Sequence, residues 1–112
     1  MSTPRLANRD VREYVQSRRI FKTNNDTMFS REEITEHSTI YTVYSYGVHF
    51  PMYIAETGAD NVTRWYANTD KYSHTTTRHQ SHANPHVPCV PMTTEQMKII
   101  ARGGLIALVT CQ

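Results

Sequence analysis

The sequence predicts an α+β fold: a small antiparallel sheet of three to four strands flanked by an N-terminal and a C-terminal helix. Three observations predict it. Residues 40–46, 49–55 and 62–67 are rich in β-branched and aromatic side chains and are separated by short turn signals, which favours an antiparallel meander. Residues 9–19 and 94–102 carry apolar groups at helical spacing. A chain of 112 residues has room for a single core.

In the N-terminal helix, Asn8 is a plausible N-cap, and Val11, Tyr14 and Val15 recur on one stripe that the stem of Arg18 continues. Arg9, Arg12 and Arg19 fall mostly off that stripe, toward solvent. The cluster Thr23-Asn24-Asn25-Asp26 reads as a turn, with Phe21, Met28 and Phe29 anchoring it. Ser30 with Glu33 fits a capping box, so one helical turn at 31–36 is expected unless the following β-rich run absorbs it. In the first long strand, Ile40, Thr42, Tyr44 and Tyr46 share one face and Tyr41, Val43 and Ser45 the other. Gly47 permits a bend. Pro51 donates no ladder bond, so its position should face an edge or a bulge. Residues 57–61 form the hairpin loop before the third strand, where Trp65 is the large packing residue.

Residues 72–81, Tyr-Ser-His-Thr-Thr-Thr-Arg-His-Gln-Ser, are almost free of aliphatic groups. Ser73 or Thr75 could cap a short helix over 76–83, which Asn84-Pro85 ends. From Asn84 to Pro91, the three prolines Pro85, Pro88 and Pro91 impose an extended path. Thr93 with Gln96 is a clear capping box, and Gly103 is a left-handed stop. Leu105 to Val109 is a short apolar run, expected as a buried strand, either a fourth member of the sheet or one that could pair across a homodimer. The expected organisation is one domain over 1–112. It comprises a basic helical region at 1–22, the meander at 40–67, the polar motif and Pro-rich loop at 72–91, and the capped helix and strand at 93–109.

Composition excludes several classes. No apolar stretch follows the first residues, so no signal peptide is expected, and the longest apolar run is far short of a membrane span. Two cysteines, Cys89 and Cys111, are too few for a disulfide-stapled secreted domain; reduced thiols in a host cytoplasm are expected. Seven tyrosines against three phenylalanines suit half-buried positions. The net charge of +2 is uneven. Residues 1–22 carry six cations against Asp10 and Glu13, residues 23–62 carry Arg31 against six carboxylates, and the remainder is again basic. No P-loop, dinucleotide fingerprint or nucleophile elbow is present.

Two phrases stand out together: Tyr44-Ser45-Tyr46-Gly47, and the 72–81 run with Trp65 between them. The pairing resembles a group of short proteins encoded by tailed bacteriophages and prophages, which carry a Tyr-Ser-Tyr strand, a Trp and then Tyr-Ser-x-Thr-Thr-x-Arg-His-Gln. The resemblance covers residues 40–81, with looser similarity in the helix after Thr93. That group is a domain of unknown function, so the resemblance implies a phage origin and no activity.

The second phrase is the candidate ligand site. Tyr72, Ser73, Thr75, Thr76, Arg78, His79 and Gln80 offer hydroxyls, a guanidinium and helix-start amides to one anion. The plainer alternative is a turn whose polar groups satisfy their own backbone. His74, His79, His82 and His86 with Cys89 have spacings that zinc tolerates, but Pro85 breaks any shared helical face, so no metal and no cofactor is expected. His79 with His74 or His82 could act as acid and base on a phosphodiester, as a small nuclease would, yet no carboxylate in the passage orients an imidazole. Arg9, Arg12 and Arg19 are candidate polyanion contacts, and Tyr44, Tyr46 and Tyr53 candidate base-stacking groups. The leading expectation is a non-enzymatic phage accessory protein that binds a host macromolecule, for instance inhibiting a defence or nucleic-acid-handling protein. The alternative is a nucleic-acid or nucleotide binder using the Thr-Thr-Thr-Arg-His-Gln segment.

Overall fold

Among the described residues, seven strands make one sheet whose spatial order is the order of the chain, β1 to β7. The computed structural model describes residues 4–24, 27–36, 38–47, 50–70 and 74–101, and for 74–76 the backbone alone. The strands are β1 (Arg5–Leu6), β2 (Lys22–Thr23), β3 (Met28–Ile34), β4 (Ser38–Ser45), β5 (Pro51–Gly58), β6 (Thr63–Asn68) and β7 (Val90–Met92). The helices are α1 (Val11–Gln16), preceded by a 3₁₀ turn at Asn8–Asp10, α2 (His74–Ala83) and α3 (Thr94–Ala101).

This corrects the expected sheet of three to four antiparallel strands. The meander β3 to β6 is antiparallel, but β1 pairs with β2, and β6 with β7, in parallel. Each parallel pair is joined by a helical crossover, α1 in the first and α2 in the second, as parallel neighbours require. The missed strands have simple causes. β1, β2 and β7 are two or three residues long, too short to show a period. β3 replaces the helical turn expected at 31–36, because cross-strand pairing of Met28 through Ile34 with β4 outweighs the local Ser30–Glu33 cap. Ser30 is buried instead, accepting the Phe21 N–H at 3.0 Å and donating to Arg19 O at 3.1 Å.

Other expectations match more closely. The register of β4 against β5 shifts between Val43 and Tyr44, which brings Tyr44 opposite Pro51. The proline thus sits at an irregularity, where its missing N–H is tolerated. Around α3 the capping box forms, with Thr93 N–H on Gln96 Oε1 at 2.9 Å and Gln96 N–H on Thr93 Oγ1 at 3.3 Å. The N-terminal helix is shorter than the expected 9–19, and neither Ala7 nor Asp10, the residues at its two starts, caps it with a side chain. The strand expected at 105–109 lies outside the described residues.

The sheet is buried on both faces. Residues paired directly across strands share a face. On one face Tyr41, Val43, Tyr53 and Ala55 pack with Val11 and Val15 of α1 and Ala83 of α2, along with Phe21, Met28, Phe50 and Met52. On the other, Ile40, Ile54 and Tyr66 pack with Met97, Ile100 and Ala101 of α3. β4 is accordingly buried at every position from Ile40 to Ser45.

Candidate functional site

The two phrases singled out in the sequence meet in space. Ser45, the last residue of β4, has its Oγ 2.8 Å from His79 Nδ1 on α2. The Tyr46 ring lies against the same imidazole, with centroids 5.2 Å apart and planes at 37°. Ser45 and His79 are 1% and 2% exposed, whereas Tyr46 is 53% exposed. A helix made almost wholly of polar residues can still bury a stripe: His79, Gln80 and Ala83 face the sheet, while Thr77, Arg78 and Ser81 face solvent.

Tyr46 is held in an uncommon backbone conformation. Its φ is 63°, in the left-handed region, and Gly47 follows at 143°. A bulky L-residue there is an outlier that the surroundings must impose. They do so from two sides: Tyr46 N–H donates to Thr27 O at 2.8 Å, and Ser45 N–H donates to Phe50 O at 3.2 Å.

His79 titrates below the ordinary imidazole value. Burial is the main cause, and the positive charge of His82 and Arg78 adds to it. The neutral ring leaves one nitrogen as donor and the other as acceptor, so Ser45 either donates to Nδ1 or accepts from it according to the tautomer. A serine on a histidine invites a nucleophile reading. Both groups are buried beneath Tyr46, however, and this arrangement fastens α2 to the end of β4.

Gln80 is bound internally as well. Its Nε2 donates to Asn68 O and Asp70 O, each at 3.2 Å, and its carbonyl accepts the Tyr53 hydroxyl at 2.7 Å. Burial pushes the Tyr53 phenol up to about 12. Asn68 Nδ2 donates to Pro51 O at 2.8 Å and to Thr94 Oγ1 at 3.0 Å, and the Asp70 carboxylate accepts the Thr94 N–H at 2.8 Å. One polar network therefore joins β5, β6, α2 and α3.

The expected anion set is divided by this geometry. His79 and Gln80 point inward and Arg78 outward; Tyr72 and Ser73 lie outside the described residues, and Thr75 and Thr76 are described only in their backbone. Of the basic trio, Arg9 and Arg19 are exposed, but Arg12, expected toward solvent, is half-buried. Its Nε donates to Asn84 O and its Nη2 to Ser81 O, both at 2.8 Å, and Gln16 Nε2 reaches Pro85 O at 2.9 Å. Arg12 thereby caps the C-terminal carbonyls of α2, where a cation is favoured. Tyr44 and Tyr53 are 8% and 7% exposed, which leaves Tyr46 as the accessible aromatic of the three base-stacking candidates. Among the described residues no three His, Cys, Asp or Glu gather as a metal set, and no helix is long and apolar enough to cross a membrane.

Sequence reasoning named Tyr46 only as a base-stacking candidate, apart from the 72–81 segment, and gave Ser45 no role in the site. The available signal was Gly47 directly after a tyrosine-rich strand, which marks backbone leaving the strand region. No protein-family model, curated protein or solved structure matches the chain.

Proposed function

We propose that this chain is a phage accessory protein that acts in the host cytoplasm by binding a host protein, with Tyr46 and the outer face of α2 as its recognition surface. The observation that carries the reading is Tyr46 itself. A large aromatic ring is held half out of the protein, in a strained backbone conformation, on the platform of a buried imidazole. Tyrosine is among the residues enriched at the energetic centres of protein interfaces. Left-handed strain of this kind costs about 1–3 kcal/mol and gathers at functional positions. Arg78 lies on the exposed side of the same helix, and the resemblance to short phage proteins supplies the phage setting.

The test is capture by the immobilised full chain from a bacterial host lysate, followed by calorimetry with the purified partner. Tyr46→Gly removes the ring and relieves the backbone. The expected result is one stoichiometric host protein whose affinity falls at least about tenfold in Tyr46→Gly, the scale of a hot-spot residue. Failure to recover a stoichiometric partner, or equal affinity of the variant, overturns the reading.

A second reading, a phosphate group held at Arg78, is favoured by the exposed position of that guanidinium on the outer face of α2, beside exposed Thr77 and Ser81. It expects Arg78→Ala to weaken inorganic phosphate binding in the same calorimeter, with Tyr46→Gly unaffected.

A further inference from the structure

The last turn of α1 closes on a pair of reversed bonds. Arg19 N–H donates to Tyr14 O at 2.8 Å and Arg18 N–H donates to Val15 O at 3.0 Å. This is the Schellman arrangement, and its first residue beyond the cap must be left-handed. Glycine takes that place most readily because it has no Cβ. Here it is Arg18, at φ 54°.

The next residue is fixed as firmly. The Arg19 carbonyl accepts both the Tyr41 hydroxyl at 2.7 Å and the Ser30 hydroxyl at 3.1 Å. Its guanidinium lies 5.5 Å from the centroid of the Tyr14 ring, which is itself set edge-on against Phe21 at 6.4 Å. Lys22 follows on β2. Arg18, Arg19 and Lys22 are all exposed, and none of them forms an ion pair with a described residue. No carboxylate interrupts residues 18–24. Three cations within five residues thus stand on a backbone that the core holds still, one of them at a position that favours glycine.

We propose that this ledge, Arg18, Arg19 and Lys22, contacts the phosphate backbone of a nucleic acid. A guanidinium laid on an aromatic ring keeps the outer edge of its planar fork free for bidentate contact with phosphate oxygens. Fixing the main chain beneath it lowers the ordering cost of that contact. A protein partner would need an apolar centre to the interface, and within the ledge only Ile20, 37% exposed, offers one. Phosphates need the cations alone. The inference is independent of the Tyr46 surface, because it uses none of its residues.

Fluorescence anisotropy of labelled single-stranded and duplex DNA with the full chain, across a salt series, tests it. Arg18→Gly is the informative variant, since it deletes a cation while giving the helix end its preferred residue. The expected result is salt-sensitive binding by the wild type. Arg18→Gly then binds several-fold more weakly at low salt with an unchanged or raised Tm, and loses about one unit of slope in log K against log salt. Arg19→Gln gives a similar loss. Tyr46→Gly leaves DNA binding intact, which separates this surface from the protein-binding one. Wild-type-like DNA affinity in a folded Arg18→Gly variant overturns the proposal. So does salt-insensitive binding, or stronger retention of poly-glutamate than of DNA, which would assign the ledge to an acidic protein surface.

Discussion

His79 occupies a position where an imidazole serves packing, and its chemistry follows from that. Buried between Ser45 and the Tyr46 ring, it stays neutral at pH values where a free histidine is protonated. The unfolded chain, with the imidazole at its ordinary 6.5, therefore takes up the proton first as pH falls. Stability is expected to decline from about pH 6.5 downward until the folded imidazole itself protonates. His79→Gln should remove that slope, and urea titrations at pH 7.5 and 5.5 measure it. The Asp70 carboxylate, held below its usual range by the Thr94 hydroxyl and N–H, acts in the same direction at lower pH, here because its charged form is the one favoured by folding. Its contribution is present above the unfolded carboxylate value of 3.8 and is lost as pH falls through the lower folded value.

At the scale of elements, α2 explains how a helix without an aliphatic stripe stays docked. Its attachments are polar and directional: Ser45 to His79, Tyr53 and Asn68 to Gln80, and Arg12 with Gln16 to the carbonyls at its C-terminal end. Such bonds are worth most where water is excluded and both partners are satisfied. Arg12→Ala leaves the Ser81 and Asn84 carbonyls without that cap and is expected to lower stability by about 1–2 kcal/mol. Chemical denaturation measures this, and Arg9→Ala, at an exposed neighbouring arginine, is the control that should change little.

For the whole molecule, a sheet covered on both faces means two apolar clusters divided by one layer of strands. Ile54 belongs to the cluster under α3, while its neighbours Tyr53 and Ala55 belong to the one under α1 and α2. A cavity on either side weakens the same central strand. Ile54→Ala is expected to cost about 2–5 kcal/mol, with one denaturation transition reported alike by far-UV circular dichroism and by Trp65 fluorescence. Two separated transitions would show that the faces melt independently.

The sequence alone determined the long, locally self-consistent parts. The meander from β4 to β6, the irregularity opposite Pro51 and the Thr93–Gln96 capping box were legible because the signals lie within a few residues of the structure they cause. The tertiary structure decided the rest. Strands of two or three residues exist only because a neighbour pairs with them, and β3 is a strand because β4 lies beside it, against the local preference of Ser30. The same holds at the candidate sites. No local pattern reveals that Arg12 reaches across to α2, or that His79 is buried while Arg78 is not. Those outcomes depend on contacts between residues far apart in the chain, from 69 to 72 positions for Arg12 and 34 for Ser45 with His79. Backbone hydrogen bonding and burial between such residues outweigh local propensities of a few tenths of a kcal/mol.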